Sequence, residues 1–134
     1  MKKRIIMDTN FLLIPGQFGV DIFAEISRIC AFPYELAVVH EVAEELESIA
    51  AGMRDSGKDR AAAKLGMQLM AKYRVKTLPQ DRKVFKRADE AILAVADENS
   101  VIATQDRDLR ARAAAKKARL IILRQKKYLK FLGE

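Results

Sequence analysis

Four short apolar runs, at residues 5–7, 36–39, 101–103 and 120–123, and a weaker strand candidate at 75–78, are separated by longer stretches whose apolar residues recur at helical spacing. Short unbroken apolar runs suit strands buried on both faces. A one-sided apolar stripe suits a helix lying against such a sheet. Strands alternating with helices point to a parallel sheet with helices on both faces, an α/β fold. The first stripe is Val20, Ile22, Phe23, Ile26, Ile29 and Cys30, broken by Pro33. The second is Val42, Leu46, Ile49 and Met53, closed by Gly52 and the turn at 55–57. A helix over 58–73 is rich in Ala, Leu and Met, with Met67 and Met70 read as packing residues. A helix over 84–99 carries Phe85, Ala88, Ile92, Val95 and Ala96, and a basic helix follows over 109–117. Residues 127–132 are expected to close the chain as a helical turn.

With 134 residues and no linker, repeat or low-complexity segment, the chain is read as a single domain over 1–134. No apolar run approaches the roughly 20 residues of a membrane span. The apolar stretch after the basic start ends at Asp8, too short for a signal peptide, so a cytoplasmic protein is expected. Cys30 is the only cysteine, which excludes an intrachain disulfide and a thiolate metal cage. The net charge of +7 is unevenly spread: residues 107–134 hold ten Lys or Arg against two acids, while the preceding 106 residues are close to neutral. A basic C-terminal region of this kind suits a polyanion or a solvated face.

Ligands of parallel α/β sheets bind at the carboxyl ends of the strands. Asp8 directly follows the first run, and Asp106 follows the run at 101–103 after Thr104 and Gln105. Consecutive residues turn by about 100° around a helix, which places Glu45 roughly 60° from the centre of its stripe, while Glu41, Glu44 and Glu47 face water. Asp89 lies roughly 70° from the centre of its own stripe, and Glu90, Asp97 and Glu98 point away. Four carboxylates sharing a pocket repel by about 1 to 4 kcal/mol per pair at ~4 Å, unless protons or a cation relieve them. An all-oxygen site suits Mg²⁺ or Mn²⁺, ions that activate water at phosphorus centres. Each acid also has an ordinary reading: Asp8 and Asp106 as helix N-caps, Asp89 as an early-turn acid, Glu45 as a partner for a lysine.

The strand 5–7 followed by Asp8-Thr9-Asn10, then Glu45-Leu46-Glu47, then Ala88-Asp89-Glu90-Ala91-Ile92, then Ala103-Thr104-Gln105-Asp106-Arg107-Asp108-Leu109, resembles the PIN-domain ribonucleases in motif order and spacing. The resemblance covers essentially the whole chain. It implies a three-layer α/β/α fold around a mostly parallel five-stranded sheet, and metal-dependent endoribonuclease activity. By motif, Asp8, Glu45, Asp89 and Asp106 would be the catalytic, metal-holding acids for one or two Mg²⁺ or Mn²⁺ ions. Asn10 and Thr104 would orient them, and Asp108 would add to the shell. The ending at 120–129 looks most like the PIN proteins of small-subunit rRNA processing. VapC-type toxins, which cleave tRNA or rRNA and are held inactive by an antitoxin, form the other branch. The implied partners are precursor rRNA or tRNA, a second copy in a homodimer, and an antitoxin or ribosome-assembly protein.

Arg107, Arg110, Arg112, Lys116 and Lys117 are candidates for the RNA backbone, with Lys126 and Lys127 as further ones. Tyr128 is read as packing or base stacking, and His40 as non-catalytic. A non-catalytic RNA-binding scaffold is the competing class, disfavoured because all four acids are retained. A phosphatase or receiver domain is disfavoured too: no second Asp follows Asp8 two residues on, and no Gly-rich phosphate loop is present.

Overall fold

A computed structural model of the chain describes residues 2–52, 55–79 and 85–133. Its elements are β1 (Lys3–Met7), α1 (Thr9–Leu12), α2 (Ile14–Phe18), α3 (Ile22–Ile29), β2 (Tyr34–Val38), α4 (His40–Ala51) and α5 (Gly57–Lys72). There follow β3 (Lys76–Thr77), α6 (Ala88–Val95), β4 (Ser100–Ala103), α7 (Arg107–Ala115), β5 (Arg119–Arg124) and β6 (Tyr128–Phe131). The sheet order is β3-β2-β1-β4-β5-β6, parallel throughout except for the antiparallel β5–β6 pair. Ile5, Ile6 and Met7 have no exposed surface. Neighbouring residues of a strand point to opposite faces, so both faces of β1 are covered and the fold is a three-layer α/β/α one.

Three expectations are corrected. Residues 127–132 are not a helical turn; Tyr128–Phe131 form a sixth strand, with Leu129 and Phe131 buried and Tyr128 exposed in a period of two. Gln125 and Lys126 both take φ +54°, the mirror-image turn that matches strand twist. Such turns favour Gly, Asn and Asp, so Gln-Lys carries no hairpin signal. The helix expected over 84–99 is limited to Ala88–Val95. Asp97 ends it by accepting from the Asn99 amide (2.8 Å) and the Ser100 hydroxyl (3.0 Å), a local turn that competes with helix. Phe85 therefore lies outside the helix, and Val95 is 39% exposed, so neither belongs to its buried stripe. Finally, α5 packs chiefly through Ala62, Ala63 and Gly66; Met70 is packed partly against the core as expected, while Met67 is 37% exposed. A Cβ on Gly16 would sit 2.5 Å from Ala62 Cα, so α2 and α5 touch backbone to backbone. Met53 and Val84, used in the expected stripes and bounds, lie outside the described residues.

Cys30 is half-buried against the core, and burial pushes its thiol pKa up. Among the described residues, no helix is long and apolar enough to cross a membrane. Because β1 and β4 are central, parallel neighbours in register from Arg4↔Ser100 to Met7↔Ala103, their carboxyl ends coincide. The first turns of α1, α4, α6 and α7 lie at that same edge of the sheet.

Candidate active site

The side chains immediately beyond β1 and β4 are tied together. The Thr104 hydroxyl donates to Asp8 Oδ2 (2.7 Å), and the Asp106 amide donates to Thr104 Oγ1 (3.0 Å). Asn10 Oδ1 accepts from the Gln105 amide (3.1 Å) and lies 3.3 Å from Thr104 Oγ1, where it competes with Asp8 for the one hydroxyl proton. Thr104 is wholly buried, so this arrangement is fixed by packing as well as by hydrogen bonds. Asp8 also N-caps α1 by accepting from the Thr9 amide (2.8 Å). Asp106 N-caps α7 by accepting at Oδ1 from the amides of Asp108 (2.9 Å) and Leu109 (3.2 Å). The ordinary capping roles are thus real, and they aim these carboxyl groups rather than exclude them from a site.

One pocket of about 300 Å³ is lined by Asp8, Glu45, Asp89 and Asp106, with Thr9, Asn10, Lys86, Arg87 and Ala88 completing its wall. Asp89 is only 9% exposed, on the first turn of α6. Its Oδ1 accepts from the Glu90 amide (2.9 Å), its Oδ2 from Arg87 (3.0 Å), and Arg112 Nη1 lies 3.6 Å from Oδ2. Glu45 enters from the open flank of α4. Burial holds the Asp8 carboxyl above its ordinary pKa, against hydrogen bonds from Thr104 and Thr9, and the charges of Asp106 and Asp89 push it the same way. Glu45 is raised by partial desolvation, then by the Asp8 charge, with Thr9 opposing and Asp89 adding.

The donor set is all oxygen, and the buried Thr9 hydroxyl in the wall of this pocket faces the Glu45 carboxylate. Four acids in one pocket, with no Cys or His among its lining residues, fit an oxygen-coordinated ion with its own water shell. Among the described residues, no three His, Cys, Asp or Glu side chains are grouped closely enough to hold a metal ion by themselves. An ion held by these acids would take much of its coordination from water, as Mg²⁺ commonly does.

Asp108 does not line the pocket; it is exposed and stands 3.5 Å from Arg112. Arg112 reaches the site through Asp89, while Lys126 sits over the Phe18 ring at the β5–β6 turn. Arg107, Arg110, Lys116, Lys117 and Lys127 are not among the pocket's lining residues either. Sequence reasoning missed Lys86 and Arg87. Their signal was present: two cations just before an acid at a helix start.

A family model described as a PIN like domain matches residues 5–126. The chain belongs to this family. "Ribonuclease VapC4" of Methanocaldococcus jannaschii is 29% identical to this PIN chain over 132 residues, covering 97% of each. Among solved structures, "Structure of the PIN domain endonuclease Utp24" superposes with a TM-score of 0.76 at 20% identity, covering 96% of this chain and 90% of that one. A domain of a functionally unknown Methanocaldococcus jannaschii protein superposes with a TM-score of 0.58 at 21% identity, covering 91% of each chain. At these identities the two structural likenesses speak for the PIN fold alone.

Proposed function

We propose that this chain is a divalent-metal-dependent endoribonuclease that hydrolyses RNA phosphodiester bonds in the pocket of Asp8, Glu45, Asp89 and Asp106. The observation that carries the reading is the convergence of four acids, spread over almost a hundred residues of sequence, on one pocket with Lys86 and Arg87 in its wall. RNA as the substrate is supported by the ribonuclease relative, which aligns over nearly the full length of both chains.

The four carboxylates would hold Mg²⁺ or Mn²⁺. A divalent ion bound there supplies Lewis acidity and lowers the pKa of water for attack at phosphorus. The chain's own residues do the positioning. Thr104 orients Asp8 through its hydroxyl and Asp106 through that residue's amide. Arg87 and Arg112 screen Asp89 and offer guanidinium groups to phosphate oxygens. Lys86 adds a third cation at the rim, which an acidic pocket needs if it is to admit a polyanion.

Two branches of activity remain distinct in their substrates. The resemblance of residues 120–129 to the rRNA-processing PIN proteins supports rRNA processing, whereas the VapC4 relative supports a toxin-type ribonuclease with an antitoxin partner. The deciding experiment is incubation with precursor rRNA and tRNA in Mn²⁺, with cleavage ends mapped. Cleavage is expected in the native protein and lost in Asp8→Asn and Asp106→Asn. RNA binding without cleavage in any divalent metal would leave a non-catalytic scaffold.

A further inference from the structure

Beside the carboxylate pocket, α6 and α7 enclose a second and larger groove of about 750 Å³. Leu93 and Ala94 of α6 and Ala115 of α7 give it an apolar floor. Lys86, Arg112 and Lys116 also line it. Glu90 is the one acid among its lining residues, and Phe85, itself packed partly against the core, is part of its wall. The Lys116 ammonium donates to the Leu93 carbonyl, which ties the end of α7 to α6 and gives the groove a fixed wall.

The groove is continuous with the carboxylate pocket. Lys86 lines both spaces, and Arg112, while lining the groove, places Nη1 3.6 Å from Asp89 Oδ2. Asp89 and Leu93 are one turn apart on α6, about 6 Å along the helix axis. Lys86 and Lys116 set two cations against Glu90, with Arg112 shared between Asp89 and Asp108; that balance favours an anionic ligand, and the apolar floor favours one with a flat, poorly hydrated part. A nucleotide has both. In a paired helix the base faces are stacked and cannot reach such a floor, so the match is to a single strand.

We propose that the α6–α7 groove is a nucleoside subsite. It holds an unpaired base against Leu93, Ala94 and Ala115 while Lys86, Arg112 and Lys116 take the flanking phosphates, and so sets the next phosphodiester over the carboxylates. This rests on the ribonuclease reading above and adds to it the place taken by the base next to the cleaved bond.

Ala94 and Ala115 are exposed helical positions, so they can be changed without touching the core. In an Asp106→Asn background, binding of a fluorescein-labelled single-stranded 12-mer oligoribonucleotide and of its duplex is measured by anisotropy. Ala94→Glu and Ala115→Glu are expected to weaken single-strand binding by about tenfold or more, and Ala94→Gln and Ala115→Gln, which crowd the floor without adding charge, by about threefold to fivefold. Mn²⁺ affinity of the otherwise native protein, by calorimetry, is expected to stay within about twofold in all four. Unchanged single-strand affinity in both Glu variants, or equal affinity for the duplex, overturns the subsite. Loss of self-association in the Glu variants with RNA binding intact would make the groove a protein interface and also overturns it. If the native protein binds neither Mn²⁺ nor RNA, the ribonuclease reading itself fails, a result separable from failure of the groove alone.

Discussion

Thr104 has one hydroxyl proton and no exposed surface, yet both acids at the strand ends depend on it. Thr104→Val keeps the shape but removes the donor to Asp8 and the acceptor of the half-buried Asp106 amide. Stability is expected to fall by about 1–3 kcal/mol in urea unfolding, and Mn²⁺ affinity or activity by about 10–100-fold. Thr104→Ser should restore most of both; failure of that rescue would assign Thr104 to packing alone. Arg87 carries the opposite expectation. It is 70% exposed and donates to Asp89, an oxygen that an ion would also use. Arg87→Gln should tighten Mn²⁺ binding by about twofold to fivefold, the limit set by solvent screening of an exposed pair, while weakening RNA binding. Looser Mn²⁺ binding in this variant would show that Arg87 serves the ion rather than competing with it. Asp8, Asp89, Asp106 and Glu45 were legible in the sequence because strand ends and helix shoulders are set by period and spacing. Lys86 and Arg87 left only the weak signal of two cations before a helix-starting acid, because their approach to the pocket depends on how the chain enters α6.

At the scale of elements, β6 shows how an edge strand is closed. The Leu129 amide donates to Glu25 Oε1 (3.0 Å), and Arg28 Nη2 donates to the Leu129 carbonyl (3.0 Å). The Glu25–Arg28 pair on α3 thus satisfies the outward backbone of β6 and denies it to another chain. Across β5, Arg119 stacks over Phe131 at 3.9 Å. Leu129 is fully buried and Leu132 is 42% exposed. Leu129→Ala should therefore cost about 2–4 kcal/mol and Leu132→Ala less than about 0.5, measured as a shift in urea midpoint. Similar losses for both would contradict the strand alternation. Gly16→Ala tests the α2–α5 contact in the same assay. Its Cβ would meet backbone 2.5 Å away, and overpacking against a helix is expected to cost about 1–3 kcal/mol.

For the whole molecule, pH acts on stability in two opposed directions. Asp8 and Glu45 are raised above their ordinary values of 3.8 and 4.5, so the folded chain keeps protons that the unfolded chain releases. Metal-free stability should decline as pH rises from those ordinary values through the raised ones. Glu25 is lowered below 4.5, chiefly by its hydrogen bond from Arg28, so its contribution is present above 4.5 and is lost as pH falls through the lowered value. Thermal unfolding in EDTA should show a maximum on the acid side of neutrality. The increase produced by Mn²⁺ should grow with pH, because the ion needs ionised carboxylates. A pH-independent Mn²⁺ effect would mean that the ion binds elsewhere.

The α/β class, the parallel core strands and the meeting of Asp8, Glu45, Asp89 and Asp106 in one pocket were legible in the sequence by itself. Apolar period and position relative to strand ends are local properties, and the geometry of helix and strand carries them into space. The sixth strand, the shortened α6 and the small-residue contact of α5 were decided by tertiary structure. At 125–131 a turn without glycine or asparagine is held because β5 offers an edge and α3 supplies Glu25 and Arg28. At 97–100 three side-chain and backbone partners end a helix that the apolar period would have continued. Cations from two helix neighbourhoods meet at Asp89 for the same reason: charge attraction acts through space, and only the packing of α6 against α7 sets which charges are close.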